Sequence, residues 1–195
     1  MRAQKRFHLS MNRVVLILGG SQGADELNAI MLEIAPELVR DVEVIHQAGV
    51  RHADAFAGAM ASILEHHPES RGFYHVLPFL DEEALADAYT VATVVVSRAG
   101  AGSVFELALV GAPTIFIPIA GAAANHQYRN VEVLARDGVA ILLAGDKLSP
   151  HLLLAKIRTL LDDKEKRRVM SEKFRVFAKP DAAIDIARVL LEVLK

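Results

Sequence analysis

The chain contains no cysteine, which excludes a disulfide scaffold, a thiolate zinc site and a cysteine nucleophile. It has no excess of positive charge either, since 22 Lys and Arg residues against 24 Asp and Glu residues give a formal net charge of −2. A chain without a net positive field attracts phosphate backbones poorly, so we expect no nucleic-acid binding. Its apolar runs all end well before the ~20 residues that a membrane span requires. The lack of cysteine is compatible with a reducing cytoplasm, and we expect a cytoplasmic location.

Sequence patterns typical of metal and dinucleotide sites are also missing. The chain has no Asp-x-Asp triplet and no His-Glu-x-x-His pair, so we expect neither a metal ion nor another cofactor. Its first glycine-rich segment fits neither G-x-G-x-x-G nor the phosphate-binding G-x-x-x-x-G-K pattern. After the second predicted strand, where a nicotinamide site needs an acidic residue for the ribose, the sequence reads Ile45-His46-Gln47-Ala48-Gly49. A nicotinamide-dependent enzyme is therefore disfavoured.

Hydrophobic residues make up 52% of the chain and charged residues 24%, which is typical of a globular domain with a large core. Short β-branched runs predict six strands, at residues 14–18, 42–45, 73–77, 93–97, 114–117 and 139–143. Amphipathic segments between them predict helices at residues 24–40, 51–67, from 81, 103–110 and 125–136, and three more after residue 149. Asp81 and Ser149 are the predicted N-caps of two of these helices. This alternation predicts an α/β fold with an open, doubly wound, parallel six-stranded sheet of the Rossmann-like kind. We assign residues 13–195 to this one domain, with residues 1–12 peripheral to it.

Ligands of such sheets bind beyond the carboxyl ends of the strands, which directs attention to the loops at residues 19–24, 47–50, 78–81, 98–102 and 118–127. Three of these loops contain residues with candidate ligand-binding chemistry. The first loop, Gly19–Ala24, joins a predicted strand to a helix. Its glycines allow a tight turn and the approach of a phosphate, and free amides at a helix start favour an anion. A simple tight turn is an equally good interpretation of the glycines alone.

The second loop, Arg98–Gly102, contains two glycines and precedes a helix that contains Glu106. Ser103-x-x-Glu106 has the spacing of a capping box, and on local sequence we favour this interpretation over a Glu106 carboxylate that accepts from two ribose hydroxyls. Arg98 faces either a phosphate or solvent. The third loop, Pro118–Gln127, ends in His126 and Gln127, which either contact sugar hydroxyls or are exposed polar residues after an Asn cap.

Taken together, these segments resemble the MurG family of glycosyltransferases. The similarity covers nearly the whole chain, but only the C-terminal, donor-binding half of that two-domain family of GT-B type. The residues that carry it are Leu18-Gly-Gly-Ser-Gln-Gly-Ala24, Pro78-Phe-Leu80 before an acidic helix start, Ser97-Arg-Ala-Gly-Ala101, Glu106, Gly111-Ala-Pro113, His126-Gln127 and Asn130. Residues 1–12 are similar to the family's interdomain linker. The resemblance implies an N-acetylglucosaminyltransferase that takes UDP-GlcNAc as donor substrate.

The resemblance also implies roles for individual residues. Family positions that match the two glycine-rich loops contact the donor's phosphates, sugar and nucleotide, and a backbone group at Leu80 pairs with uracil. For Glu106 the resemblance favours ribose binding over capping, and for His126 and Gln127 it implies contacts with sugar hydroxyls. Residues 121–124 (Gly-Ala-Ala-Ala) depart from the family pattern, which weakens the prediction of sugar selectivity. The implied donor-binding residues are Gly20, Ser21, Gln22, Leu80, Arg98, Gly100, Ala101, Glu106, His126 and Gln127.

The family's N-terminal half supplies the acceptor site, the presumed catalytic base and a membrane-contacting patch. The resemblance therefore implies an N-terminal acceptor-binding domain or subunit as partner, and a lipid-linked muramyl-pentapeptide as acceptor. It places the complete enzyme peripherally on the cytoplasmic face of the plasma membrane. Three alternatives remain: a subunit of a split N-acetylglucosaminyltransferase, a UDP-GlcNAc epimerase-like domain, and a non-catalytic sugar-nucleotide-binding module.

Overall fold

The computed structural model describes residues 2–20, 24–118 and 126–194. Its strands are Val14–Leu18 (β1), Glu43–Gln47 (β2), Tyr74–Leu77 (β3), Val94–Ser97 (β4), Thr114–Phe116 (β5) and Ile141–Leu142 (β6). Its α-helices are Arg2–Arg6 (α1), Asp25–Leu38 (α2), Ala53–Leu64 (α3), Glu82–Val91 (α4), Ala101–Val110 (α5), His126–Arg136 (α6), Pro150–Asp162 (α7), Lys164–Arg175 (α8) and Ala182–Val193 (α9). Short 3-10 helices lie at Pro68–Phe73 and Gly145–Lys147.

The six strands form one parallel sheet in the order β3-β2-β1-β4-β5-β6. After β1 the chain adds β2 and β3 on one side, and it then crosses back to place β4 on the other side of β1. The strand order therefore reverses between β1 and β4, and open α/β sheets bind ligands at such a switch point. The predicted fold class is confirmed.

Two hydrophobic layers cover the sheet, one on each face. Alternate residues of β1 point to opposite layers, with Val15 and Ile17 in one and Leu16 and Leu18 in the other. Helices α2, α3 and α7 close the first layer, while α4, α5 and α6 close the second. Because both faces are covered, the central strands are continuous apolar runs, as is typical of parallel sheets.

Several predicted boundaries are confirmed and others shift. The side chain of Asp81 caps α4 by accepting from the Ala84 amide, and Ser149 caps α7 in the same way. Strand β2 extends through His46 and Gln47, beyond its predicted end at Ile45, because both polar side chains are buried with the strand. Helix α5 begins at Ala101, two residues before its predicted start. Helix α3 ends earlier than predicted, at Leu64.

The N-terminal segment packs against the domain through charged and apolar contacts. Arg2 and Arg6 of α1 both donate to the Asp87 carboxylate of α4, at 2.7–2.9 Å, and Phe7 is buried in the second layer. The buried Glu43 carboxylate accepts from the backbone amides of Ser10 and Met11. These contacts hold residues 2–11 on the domain, and their role as an interdomain linker remains a prediction. Among the described residues no helix is long and apolar enough to cross a membrane.

Candidate functional site

The carboxyl ends of β1 and β4 lie side by side, and each leads into a helix that begins there. Helix α2 has Ala24 at its N-cap and α5 has Gly100, so neither cap residue has a side-chain acceptor for the first helical amides. By contrast α4, α7 and α8 have acidic or hydroxyl caps. Two helix starts with amides that lack a side-chain cap therefore flank the switch point. Such amides, together with the positive end of each helix dipole, favour an anion.

Both positions that follow β1 favour glycine, Gly19 for lack of space and Gly20 for its backbone conformation. A Cβ atom on Gly19 would lie 3.0 Å from the backbone oxygen of Gln47, which is too close for a normal contact. Gly20 has a φ angle of +86°, in the region that disfavours other residues. The turn is therefore sterically specified at both positions. Ser21 and Gln22, the predicted donor-binding residues of this loop, lie outside the described residues.

Arg98 follows β4 and has a side chain that is only partly exposed. Its backbone amide donates to the Leu18 carbonyl of β1 at 3.4 Å, which keeps the two strand ends together. Burial lowers the pKa of the guanidinium, while the negative charge of Glu26 in the first turn of α2 opposes this shift. In the described part of the chain, the buried Nε–H has no hydrogen-bond acceptor. Arg98 thus presents a partly desolvated cation beside both helix starts.

Gly100 and Ala101 form the start of α5, and their position overturns the capping-box interpretation. Ser103 lies in the third helical position rather than at the N-cap, and no side chain caps this helix. Sequence alone favours the cap because Ser-x-x-Glu is a frequent cap pattern. Here the N-cap lies three residues earlier, at Gly100, which adopts the extended conformation of an N-cap residue. Gly100 and Ala101 therefore lie where an anion would meet the α5 amides.

Glu106 lies inside α5, with an exposed side chain that faces α4. The Tyr89 hydroxyl donates to Glu106 Oε2 at 3.4 Å, a long hydrogen bond. Burial raises the pKa of Tyr89 well above its ordinary value, and the charge of Glu106 raises it further, so Tyr89 remains a neutral donor. One Glu106 oxygen thus has a weak protein partner, and the carboxylate retains acceptor capacity for a ligand.

Leu80 follows β3 and is 4% exposed, whereas the adjacent Phe79 is 53% exposed. The Leu80 amide donates to Oε1 of the Gln47 side chain at 3.2 Å. This contact joins the loop after β3 to the end of β2. The predicted backbone group for uracil is therefore held in place by a side chain that the sequence patterns did not single out.

His126 and Gln127 are the first two residues of α6, the helix that follows β5. His126 is exposed and Gln127 is partly exposed. One turn further on, Asn130 donates its side-chain amide to the Ala99 carbonyl at 3.0 Å. This hydrogen bond couples the start of α6 to the loop that carries Arg98. The intervening small-residue segment, residues 119–125, lies outside the described residues.

The described donor-site candidates therefore share the carboxyl edge of four strands, β1, β3, β4 and β5. These groups suit an anion that carries polar groups on both sides. They are the first amides of α2 and α5, the partly buried cation of Arg98, the Glu106 carboxylate, the His126 imidazole and the Gln127 amide. Among the described residues no cluster of three or more His, Asp or Glu side chains could hold a metal ion. Gln47 and Tyr89 were not predicted as site residues, because nothing local distinguishes a bridging polar side chain from an ordinary one. Of the two, only Gln47 belongs to a loop that the sequence places at the carboxyl edge.

Comparisons with known proteins match this domain to glycosyltransferases. The model of the glycosyltransferase family 28 C-terminal domain matches residues 14–186. The chain is 36% identical over 183 residues, 93% of its length, to the UDP-N-acetylglucosamine--N-acetylmuramyl-(pentapeptide) pyrophosphoryl-undecaprenol N-acetylglucosamine transferase of Ectopseudomonas mendocina, and covers 49% of it. It is 38% identical over 183 residues, 92% of its length, to the transferase of the same name from Pseudomonas fluorescens, and covers 48% of it.

A solved structure agrees with these matches. The crystal structure of Acinetobacter baumannii MurG superposes with a TM-score of 0.73 at 28% identity, over 92% of this chain and 52% of that one. The chain spans about half the length of the curated relatives that it matches. It therefore belongs to the glycosyltransferase family 28 C-terminal domain family, and the resemblance to the MurG family that its loops predict is confirmed.

Proposed function

We propose that this domain binds UDP-GlcNAc and supplies the donor half of an inverting N-acetylglucosaminyltransferase. The observation that carries the proposal is the pair of helix starts at the switch point, together with the buried Arg98 Nε–H, which has no acceptor among the described residues. This arrangement has the charge and the donors that a diphosphate needs. The curated relatives, whose name gives them UDP-N-acetylglucosamine as donor, support this identity of the nucleotide sugar.

In this proposal each part of the donor has its own partners. The diphosphate lies against Gly20, Ser21, Gly100, Ala101 and Arg98, and uracil lies against the backbone of Leu80. The Glu106 carboxylate accepts from the two ribose hydroxyls, and Gln22, His126 and Gln127 contact the sugar. The spacing of these groups along one sheet edge supports an extended nucleotide sugar that crosses from β3 to β5.

The chemistry proposed is a direct displacement at the anomeric carbon. An acceptor hydroxyl oxygen bonds to that carbon, the bond from carbon to the diphosphate oxygen breaks, and the hydroxyl proton passes to a general base. UDP leaves with the bonding electrons, and the α2 and α5 amides with Arg98 stabilise the negative charge that develops on it. Inversion follows because the acceptor attacks from the face opposite the leaving group.

The acceptor side of the reaction belongs to an N-terminal domain or subunit. We propose that this partner holds the general base and the undecaprenyl-linked muramyl-pentapeptide acceptor named in the relatives, as peptidoglycan synthesis requires. Because that acceptor is a lipid, the complete enzyme would act peripherally at the cytoplasmic face of the plasma membrane. A chain that spans about half of its relatives supports the need for such a partner.

The test of the proposal is a comparison of nucleotides by isothermal titration calorimetry. We expect UDP and UDP-GlcNAc to bind more tightly than ADP or NAD, because the Leu80 loop presents backbone groups that suit uracil. Equal affinities for uridine and adenine nucleotides would exclude the proposed base site. We also expect EDTA to leave UDP affinity unchanged, because the proposed diphosphate contacts are amides and Arg98. Loss of binding on chelation would show that a metal ion holds the diphosphate.

A further inference from the structure

The last residue of β2, Gln47, joins two of the loops that form the candidate site. Its backbone oxygen accepts from the Gly19 amide of the glycine-rich loop at 3.2 Å. Its side-chain oxygen accepts from the Leu80 amide at 3.2 Å. Gln47 is 6% exposed, so both bonds form away from solvent, where a lost partner leaves a buried group unsatisfied.

Ala48, the residue that follows Gln47, is also held by two hydrogen bonds. The Ala48 amide donates to the Leu77 carbonyl of β3 at 2.9 Å, and the Asn28 side chain of α2 donates to the Ala48 carbonyl at 3.1 Å. Residues 47 and 48 therefore bond to the loop after β1, the first turns of α2, the end of β3 and the loop after β3. A side chain held on such a frame has little freedom to move.

We propose that Gln47 is a positioning residue that sets the base-reading backbone of Leu80 relative to the diphosphate-binding glycine-rich loop. This inference rests on the proposed function, since it concerns a uridine nucleotide bound across both loops. Gln47 holds the Leu80 peptide through its N–H, and we assign the Leu80 carbonyl to the N3 position of the base. A carbonyl accepts from the N3–H of uracil, whereas N3 of cytosine has no hydrogen and is itself an acceptor. Gln47 thereby favours uridine over cytidine nucleotides.

Two substitutions separate positioning from general stability. Gln47→Met has similar length but no acceptor, so the Leu80 amide loses its partner and the loop is released. Gln47→Glu retains an acceptor oxygen at the same reach. A matched control is Val44→Ala, which removes buried volume from the same strand, on a side chain that packs in the first hydrophobic layer. The unfolding temperature of every variant is compared with that of the wild type, so that a change in nucleotide affinity can be distinguished from a loss of stability.

The first readout needs no ligand. Hydrogen exchange of the Leu80 amide, followed by NMR, should be slow in the wild type, in Gln47→Glu and in Val44→Ala, and faster in Gln47→Met. The second readout is the ratio of UDP to CDP affinity by calorimetry. We expect this ratio to fall about tenfold in Gln47→Met, the size of one hydrogen bond, and to be retained in Gln47→Glu and Val44→Ala.

The possible outcomes differ for the inference and for the proposed function. If the Leu80 amide is released in Gln47→Met while the UDP to CDP ratio is unchanged, Gln47 does not position the base site and the inference is wrong. The inference is also wrong if Val44→Ala lowers the ratio as much as Gln47→Met does, or if Leu80 exchange is the same in the wild type and Gln47→Met. Failure of the wild-type chain to bind UDP would instead overturn the proposed function, and it appears before any variant is compared.

Discussion

Arg98 shows how a single residue can be poorly satisfied in the free protein and well suited to a ligand. Its guanidinium is partly desolvated, and its Nε–H has no acceptor among the described residues. Burial lowers the pKa of Arg98, and the nearby charge of Glu26 offsets this shift only in part. A buried donor without a partner costs stability, and such costs concentrate at binding sites. A diphosphate oxygen would supply the missing acceptor.

We predict that Arg98→Met lowers UDP affinity at least tenfold while the unfolding temperature stays the same or rises. The variant loses a charge-assisted contact to the diphosphate, worth about 1.5–3 kcal/mol, but leaves no described Nε–H hydrogen bond broken in the free protein. Calorimetry with UDP and thermal unfolding measure the two effects. A variant with normal UDP affinity would show that Arg98 does not contact the diphosphate.

We predict that Glu106→Gln weakens UDP binding by about tenfold and leaves the fold intact. Glutamine has the same size, but an amide makes weaker bonds to two ribose hydroxyls than a carboxylate, by about 1.5 kcal/mol. Tyr89→Phe is the matched control, since it removes the 3.4 Å hydrogen bond to Glu106 without touching the carboxylate. Equal losses in both variants would mean that the Tyr89 contact, rather than ribose binding, explains the effect.

At the scale of elements, short α1 is held on α4 by charge. An isolated helix of five residues is unstable in water, so α1 depends on its contacts. Asp87 accepts from both Arg2 and Arg6, and these bonds lower the pKa of its carboxyl. A carboxyl with a lowered pKa stabilises the folded state above its unfolded pKa of about 3.9 and loses this effect as the pH falls through the folded value.

We predict that Asp87→Asn lowers the unfolding temperature at pH 7 and that the difference from the wild type shrinks as the pH falls below about 4. Thermal unfolding between pH 7 and pH 2 measures this. The matched control is Glu165→Gln, which breaks an exposed ion pair with Arg168 within α8 and should change stability little. A difference that is constant across the pH range would show that Asp87 acts through shape rather than charge.

At the scale of the whole molecule, the candidate site lies on one open edge of the sheet. Transfer to an acceptor needs a base near the acceptor hydroxyl and a second wall that excludes water. Of the described candidates, His126 is the nearest in chemistry to a base, and we assign it to the donor sugar. The site therefore supports donor binding more completely than it supports transfer.

We predict that the 195-residue chain binds donor but transfers no sugar by itself, and that activity appears when the N-terminal half of a relative is added. The measurement is transfer of radiolabel from UDP-GlcNAc to the lipid acceptor, with and without the added half. Transfer by the chain alone, at a rate near that of a complete relative, would contradict this and would make His126 the first residue to substitute. Isomerised free sugar would indicate an epimerase, and binding without turnover in the mixture would indicate a regulatory module.

Sequence alone determined the fold class, because the spacing of apolar residues in strands and helices shows which faces are buried. This spacing can be read from local sequence, without knowledge of contacts between distant residues. It also identified most of the loops that the structure brings to the carboxyl edge of the sheet, since glycines, capping residues and their spacing are local signals. The caps at Asp81 and Ser149 lie where the sequence places them for this reason. The resemblance to the MurG family was carried by the same short motifs.

Tertiary structure decided what depends on neighbours distant along the chain. Strand β2 reaches Gln47 because the partner strands β1 and β3 bury its polar end, and no local propensity indicates that. Helix α5 starts at Ala101 because Gly100 turns there, which removes the capping role of Ser103 and leaves Glu106 facing Tyr89. The bond from Leu80 to Gln47 spans 33 residues, so it exists only once the sheet has formed. Contacts of this kind arise from packing geometry, which a linear pattern does not encode.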